Sequence, residues 1–416
     1  MSQRAFMAIT AIAAALIGAV CAFGAGENAA APAFGPRGPV GPDVPVSDAE
    51  KAQFARRVTV EGLTSAAVQA ACDRAAREGI AAVFLPPGEY VMEAEVRIPG
   101  GLTILGEGAK TFCRAAKKDA RLFRVDGDRV RLTRLKLQGA DLTPATDNDT
   151  HGIDAAGKKD VRVDHCELLG FSYAMNFSDE ATVQVDHCAI HDNLRDGLGY
   201  GVAIYSGAYV LVCDNEFSQC RHALASNGAL DWSSPKRVGK YVHKPGVRKT
   251  HWEFIRNRVS GDDRTKSRLC VVDTHPGMDG TFVVEGNLFE NIRHGVGIRD
   301  GAGVIRGNLF RNLTGYRPVA ISIEYGTHNN IVVEGTMPRD IQVSDNTFED
   351  VGDRVFGDGI AGASAEHAKI AKYRLGKAEN ITIDGKVVPE TRVEGRTPLA
   401  VPRLQAMGAD GVLRWK

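Results

Sequence analysis

A carboxylate, a histidine and an arginine occur within one short segment of the sequence, in the C-terminal half of the chain. Asp273 and His275 stand in the segment Asp-Thr-His-Pro-Gly, and Arg299 ends the run His-Gly-Val-Gly-Ile-Arg that begins at His294. On an extended strand, residues two apart share one face, so the carboxylate can orient the imidazole as a base. An arginine can neutralise the carboxylate of an acidic substrate. The set therefore suits removal of a proton next to a carboxyl group.

Two basic groups precede this set. Arg221 and His222 are adjacent, so only one of them faces a groove if the segment is extended; surface pairing of Arg221 with an aspartate is the alternative. The segment 232–252 holds six Lys or Arg residues, two His and no acidic residue. This excess predicts a groove wall for a polyanion, with Lys244 and Arg248 as contacts, and the alternative is a solvated basic loop.

The remaining polar residues give weaker signals. We interpret His151, His165, His187 and His191 as surface or ladder residues, because they lie in or beside a repeated phrase. We expect no cofactor. Calcium on Asp179, Glu180, Asp192 and Asp196 is the alternative, although their spacing is not specific for that ion. The 51 basic and 51 acidic side chains cancel, so no net charge favours a nucleic acid or a membrane.

The elements that must position these residues are short repeated strands. A phrase of alternating apolar residues, a polar pair and an Asn or Cys recurs at intervals of 21 to 42 residues, and the long intervals indicate inserted loops. The pattern predicts a solenoid whose recurring residues stack in one line, with coils about 4.8 Å apart. The predicted line contains Cys166, Cys188, Asn215, Asn257, Asn287, Asn308 and Asn346.

The first coil has its own signature. A helical pattern runs from a Thr64 cap to Gly79, where a left-handed residue would close it, and the phrases Phe-Leu-Pro-Pro-Gly-Glu-Tyr and Leu-Thr-Ile-Leu-Gly-Glu-Gly follow. This order resembles the pectate-lyase-like β-helix superfamily. The resemblance implies an all-β fold, a single right-handed parallel β-helix with an N-terminal capping helix, and a long groove for an extended polysaccharide.

The chain divides into four predicted parts. Residues 1–25 predict a signal peptide, since Arg4 precedes an apolar run from Ala5 to Phe23; an uncleaved anchor is the alternative. Residues 26–54 predict a linker, flexible where Ala, Gly and Pro dominate. Residues 55–350 predict the β-helix. Residues 351–416 predict a C-terminal cap, with a helix over 363–373 and a hairpin over 381–388.

The segment from Asp273 to Asp300 resembles the core of the periplasmic alginate (mannuronan) C5-epimerases, which carry Asp-x-His and, one coil later, a His-Gly run ending in Arg. The resemblance implies that His275 is the base, Asp273 its orienting partner and Arg299 the group that neutralises the sugar carboxylate. It fails at Cys270, where the epimerases carry a tyrosine, so the acid is unassigned. The candidate acids are Tyr200, Tyr205 and Tyr241.

Together these patterns predict a secreted or periplasmic, monomeric lyase or C5-epimerase acting on a uronic-acid-containing anionic polysaccharide. A glycoside hydrolase using Asp273 and Asp300 is the second interpretation, and a non-catalytic carbohydrate-binding protein is the third. The predicted catalytic residues are His275, Arg299, Asp273 and His222. The predicted substrate-binding residues are Arg221, Lys244, Arg248, His294, Tyr200 and Asp300.

Overall fold

The computed structural model describes residues 34–261, 271–314, 318–352, 354–356, 370–395, 399–408 and 410–416. The predicted signal peptide and Cys270 lie outside this part of the chain. None of the described helices is long and apolar enough to cross a membrane.

Across the described residues, strands of successive coils pair in parallel to form three long sheets, and each full coil contributes one strand to each sheet. The chain folds as a right-handed parallel β-helix.

Sheet 1 contains Val58–Thr59, Ala82–Phe84, Thr103–Leu105, Arg131–Thr133, Val161–Asp164, Thr182–Asp186, Tyr209–Cys213, His251–Ile255, Thr281–Glu285, Gly301–Arg306, Pro338–Ser344, Thr382–Ile383 and Lys386–Val387. Sheet 2 contains Gly88–Met92, Thr111–Ala115, Lys136–Gln138, Glu167–Leu169, Ala189–His191, Glu216–Ser218, Arg258–Ser260, Leu288–Glu290, Leu309–Arg311 and Thr347–Glu349. Sheet 3 contains Val96–Ile98, Arg121–Val125, His151–Ala156, Tyr173–Ser178, Tyr200–Ile204, His222–Ser226, Val271–Thr274, His294–Ile298, Val319–Ile323, Ala371–Leu375 and Arg354–Phe356.

A line of asparagines joins the coils at the turn between sheets 1 and 2. The side-chain amide of Asn215 donates to Oδ1 of Asn257 at 3.0 Å, and the same bond links Asn257 to Asn287 at 3.3 Å. Asn287 bonds Asn308 and Asn308 bonds Asn346, each at 2.9 Å. Asparagine suits this position because one amide both donates and accepts. The predicted ladder is confirmed.

The two cysteines continue the ladder, as the repeat predicted. The backbone N–H of Cys188 donates to Oδ1 of Asn215 at 2.9 Å, and Cys166 is buried in the equivalent turn one coil earlier. The left-handed residue of this turn is the one before the asparagine, with φ 58° at Asp214 and 51° at Arg256.

The N-terminal end of the core is covered by the helix Ser65–Glu78. Its first turn is capped by Thr64, whose hydroxyl accepts from the N–H of Ala67 at 3.2 Å, and Gly79 ends it with φ 62°, as predicted. Val68 and Cys72 point into the same hydrophobic core as the strands. The helix therefore shields the first coil, whose exposed edge would otherwise invite association.

The segment 34–54 is ordered against the coils, so the predicted flexible linker is corrected over this range. The N–H of Gly35 donates to Gly286 O at 3.0 Å, and that of Gly41 to His187 O at 2.9 Å. The helix Asp48–Gln53 follows, and Glu50 pairs with Arg131 at 3.0 Å and with Arg134 at 2.8 Å. Glycine and proline here favour an extended strap that satisfies its backbone on its neighbours.

The coils continue past the predicted boundary at residue 350. Ala371–Leu375 pairs in parallel with Val319–Ile323, and Thr382–Ile383 with Pro338–Ser344. The predicted helix over 363–373 is therefore wrong in its last residues, which form a strand, while 363–369 lie outside the described residues. The predicted hairpin is confirmed by the antiparallel pair Thr382–Ile383 and Lys386–Val387.

The end of the chain returns over the outer face of sheet 1. The N–H of Met407 donates to the Gln184 side chain at 2.7 Å, and that of Leu413 donates to Asp160 at 3.1 Å. The antiparallel strands Leu404–Gln405 and Arg414–Trp415 belong to this tail. Shorter helices complete the described elements: Ser234–Val238, and the 3-10 turns Gly108–Lys110 and Pro389–Thr391.

Candidate active site

Most of the predicted site residues meet on the outer face of sheet 3. Tyr200 pairs with His222 in the next coil, and Asp273 pairs with Gly297 in the coil after. These side chains line a groove with others from sheet 3 and from two insertions. The lining includes His151, Tyr173, Asn176, Asp179, Tyr200, Tyr205, Arg221, Asn227, Trp232, His275, Arg299, Thr327, His328 and Asn329.

Asp273 lies at the centre of the site. Arg299 approaches both carboxylate oxygens, with Nε 3.1 Å from Oδ1 and Nη2 in contact with Oδ2. Nε2 of His275 lies 3.3 Å from Oδ2, and Nδ1 of His222 lies 3.6 Å from the same atom. Burial alone would raise the pKa of Asp273, but the charge of Arg299 and the two imidazoles hold it well below the usual range. Asp273 is therefore ionised at neutral pH.

Small residues in the floor leave room for this arrangement. Ala203 and Ala225 occupy the two positions before Asp273 in its register, and Gly297 occupies the next one. A Cβ at Gly297 would lie 3.5 Å from Asp273 Oδ1 and 3.5 Å from the ring of His294. Both distances are ordinary van der Waals contacts, so a methyl group at this position would just fill the space beside the carboxylate.

His275 and Arg299 stack one coil apart, as their spacing predicted. Thr274 pairs with Ile298 at the ends of adjacent strands, so His275 and Arg299 follow at equivalent positions. Thr274 Oγ1 accepts from the N–H of Arg299 at 2.8 Å, and His275 N–H donates to Ser226 O at 2.8 Å. Because Nε2 of His275 faces Asp273, Nδ1 is the ring nitrogen left to accept a proton.

His222 is buried beneath the groove. It is 6% exposed, and its Nδ1 has no hydrogen-bond partner among the described residues. Burial, with Arg221 and His275 nearby, holds the pKa of His222 well below its usual range despite the opposing effect of Asp273. It therefore stays neutral, and the structure brings it into the centre, as predicted.

These imidazoles also define where a metal would fit. The ligand atoms of His222, Asp273 and His275 lie within 4.8 Å of one another, the one such grouping among the described residues. Two nitrogens and one oxygen suit an ion of the zinc type more than calcium, which prefers oxygen ligands. The carboxylates considered for calcium do not form a grouping of this kind in the described chain.

Among the candidate acids, Tyr200 is in ring contact with His275, with centroids 6.1 Å apart. Its hydroxyl accepts from Arg221 Nη1 at 3.5 Å, so Arg221 lies on the groove side as predicted. Burial raises the pKa of Tyr200, and Arg221 partly offsets that effect, so the phenol stays protonated near neutral pH. Tyr205 also lines the groove. Tyr241 does not, because it is packed against Leu230 and Val333.

Asp300, predicted to bind substrate, lies elsewhere. It is fully buried, and its carboxylate accepts backbone N–H groups of Gly277 at 3.0 Å, Asp279 at 2.9 Å, Gly301 at 2.7 Å and Met337 at 3.0 Å. Burial raises its pKa to about 6. Asp300 thus holds loops together below the groove, so the Asp273–Asp300 pair cannot flank a glycosidic bond as a hydrolase requires.

Three other predicted contacts lie outside the groove lining. His294 is beside the centre but bonds Ser322 Oγ at 2.8 Å, and burial lowers its pKa to about 3. Arg248 covers the ring of Tyr209 at 3.6 Å and donates to Gly207 O and to Glu180 O, each at 2.6 Å, so its guanidinium joins two coils. Lys244 is exposed, and its N–H donates to Ala229 O at 2.8 Å.

Sequence reasoning missed several groove residues, among them His151, Trp232 and His328. His151, interpreted as a surface or ladder histidine, pairs with Asp154 at 2.9 Å and packs against the tilted ring of Tyr173 with centroids 4.7 Å apart. Its register partners, Tyr173 and Tyr200, were a usable signal, because each follows at the short coil length. Trp232 and His328 come from insertions, whose positions no repeat register can give. His165, His187 and His191 lie outside the groove lining, as expected.

Comparisons with known proteins were made by sequence and by structure. No family model and no curated protein matches the chain. Among solved structures, it is similar to the A-module of the Azotobacter vinelandii mannuronan C-5 epimerase AlgE4, with 13% identity over 79% of this chain and 95% of that one, at a TM-score of 0.44. It is also similar to a Paenibacillus alginate lyase, with 15% identity over 78% and 99% and a TM-score of 0.37.

A Yersinia enterocolitica family 28 exopolygalacturonase is similar at 12% identity over 83% of this chain and 77% of that one, with a TM-score of 0.42. Likenesses this weak do not identify an activity for this chain.

Proposed function

We propose that this protein abstracts the C5 proton of a uronic acid within an anionic polysaccharide, as a lyase or a C5-epimerase. The observation that carries the proposal is the contact of one buried carboxylate, Asp273, with both His275 and Arg299 on the floor of an open groove. The Asp-x-His and His-Gly-to-Arg resemblance to alginate C5-epimerases supports the same roles.

In this mechanism, the sugar carboxylate binds the edge of Arg299 that faces the groove. Asp273 takes Nε and one hydrogen of Nη2, which leaves other guanidinium hydrogens for the substrate. His275 Nδ1 removes the C5 proton, and the electron pair of that bond moves into the carboxyl group to form an enediolate. Arg299 stabilises this charge, and Asp273 stabilises the protonated imidazole.

The second step separates the two activities. In an epimerase, Tyr200 returns a proton to C5 from the opposite face of the ring. In a lyase, the C4–O bond breaks, its electron pair stays on the leaving oxygen, and Tyr200 protonates that oxygen. Arg221 beside the Tyr200 hydroxyl stabilises the phenolate that either step leaves.

A panel of polyuronides tests the proposal. Purified protein is incubated with polymannuronate, polyguluronate and polygalacturonate, while absorbance at about 235 nm and NMR spectra are recorded, since the conjugated product of a lyase absorbs and an epimerised product does not. New absorbance supports the lyase, and a changed epimer ratio without it supports the epimerase. New reducing ends alone contradict proton abstraction and favour a hydrolase, and no change at all favours the non-catalytic alternative.

We also propose that the protein acts in the periplasm or outside the cell. A predicted signal peptide over 1–25 would deliver the protein to the periplasm or the outside of the cell, where such polysaccharides occur. We expect it to act as a monomer without a resident metal, because Arg299 already supplies the positive charge at the carboxylate.

A further inference from the structure

The groove beside His275 is bordered by two insertions, one before the strand His251–Ile255 and one before the strand Pro338–Ser344, and the two insertions pair with each other. The N–H of Tyr241 donates to Val332 O at 3.0 Å, and that of Glu334 donates to Tyr241 O at 2.9 Å. Lys240 adds an ion pair to Glu334 at 2.7 Å. The insertions therefore form one joined wall.

Trp232 is the exposed aromatic side chain of this wall. It lines the groove and is 51% exposed, with its ring 5.3 Å from that of Tyr241 and 5.0 Å from that of His328. Tyr241 packs against the Trp232 ring and is itself buried among Leu230 and Val333. A large ring left half in water, yet held in place by other rings, is typical of a ligand platform.

We propose that Trp232, with His328 beside it, forms a subsite that binds one pyranose ring of the polysaccharide by stacking, next to the sugar held by His275 and Arg299. This inference rests on the proposed function and extends it. The apolar C–H face of a pyranose fits the face of an indole ring. The hydroxyl and amide groups of Thr327 and Asn329, which line the same part of the groove, can bond the sugar's edge.

The position of the platform sets which part of the substrate it binds. The ring of His328 lies 6.1 Å from that of His275 and lies between His275 and Trp232 in this series of contacts. Because the ring of His328 separates Trp232 from His275, the platform binds the sugar next to the one at His275 and Arg299.

Binding measurements on matched tryptophan variants test the subsite. In a His275→Gln background, which leaves substrate unconverted, affinities for oligomannuronates, oligogalacturonates and neutral xylo-oligosaccharides of increasing length are measured by calorimetry, with tryptophan fluorescence alongside. The variants are Trp232→Ala, Trp232→Phe and Trp415→Ala. Trp415 is the matched control, since it is 44% exposed and packs on Tyr209 at the distant sheet 1.

We expect Trp232→Ala to weaken binding of the longer oligouronides about tenfold, the upper range for one aromatic contact. Trp232→Phe should retain most of the affinity, Trp415→Ala all of it, and thermal melting should be unchanged by the Trp232 substitutions. Unaltered affinity in Trp232→Ala, or an equal loss in Trp415→Ala, would overturn the subsite while the proton-abstraction proposal stands. Trp232-dependent binding of xylo-oligosaccharides alone would support the platform and refute the uronate substrate. If the background protein binds no probe, both proposals fail.

Discussion

The asparagine ladder and the groove of sheet 3 differ in whether their buried polar atoms are hydrogen-bonded. In the ladder, each amide from Asn215 to Asn308 both donates to and accepts from its neighbours. In the groove, Oδ1 of Asn176 and Nδ2 of Asn227 are buried and have no hydrogen-bond partner among the described residues. An unpaired buried polar atom costs free energy, so its presence indicates a role other than stability. The ladder holds the coils together, and the groove keeps donors and acceptors for a ligand.

The largest difference between the two regions should appear in the reaction rate when the base, His275, is replaced. His275→Gln removes the proton acceptor, so we expect the rate on the responsive polyuronide to fall at least 100-fold. The melting temperature should barely change, because the ring faces the groove. His191→Gln, on sheet 2 and outside the groove lining, is the matched control and should keep full activity. Full activity in His275→Gln would refute its role.

The ladder should show the reverse pattern. Asn257→Ala removes the bonds that its amide donates to Val212 O and Asn287 Oδ1 and leaves the backbone N–H of Asn215 without its acceptor, so the free energy of unfolding should fall by about 2 kcal/mol or more. Its activity per folded molecule should be unchanged. Asn227→Ala, in the groove, should cost much less stability because its amide nitrogen is unpaired. Denaturant unfolding of both variants checks this, and equal losses would break the comparison.

Replacing Arg299 with lysine should have a smaller effect than the two preceding substitutions. Arg299→Lys keeps the charge but loses the fork that bonds Asp273 while presenting further hydrogens to a substrate carboxylate. We expect kcat to fall about tenfold, with a smaller change in stability. Steady-state kinetics with Arg306→Lys, an exposed arginine paired with Glu285 on sheet 1, as the control would show this. An unchanged kcat would mean that Arg299 only neutralises Asp273.

The smallest effect concerns the N-terminal strap and pH. Burial alone would raise the pKa of Glu50, but Arg134 and Arg131 outweigh it and lower the pKa to about 2. A lowered carboxyl pKa stabilises the fold above the unfolded value near 4.5, and this is lost as pH falls towards 2. Glu50→Gln should therefore cost on the order of 1 kcal/mol at pH 7 and much less near pH 2. Unfolding at both pH values measures it, and a pH-independent loss would contradict the ion-pair account.

The contrast also explains which features the sequence could predict. The ladder repeats in every coil from Asn215 onward, so its residues align with one another by their spacing and type alone. His275 and Arg299 could be placed because a short coil separates them. Trp232 and His328 could not, since insertions follow no repeat, and the strap over 34–54 looked flexible because glycine and proline also form ordered extended segments. Asp300 was misplaced because a carboxylate next to Arg299 in sequence turns inward to cap backbone groups.

The most direct test of the central claim follows the C5 proton itself. The protein is incubated in D2O with the polyuronide it converts, and NMR reports the hydrogen at C5. Proton abstraction predicts that the C5 proton is lost, with deuterium in the epimerised residues or an unsaturated residue at the new chain end. This loss should stop in His275→Gln and continue in His191→Gln. Converted substrate that keeps its original C5 proton, or exchange that persists in His275→Gln, would contradict the account.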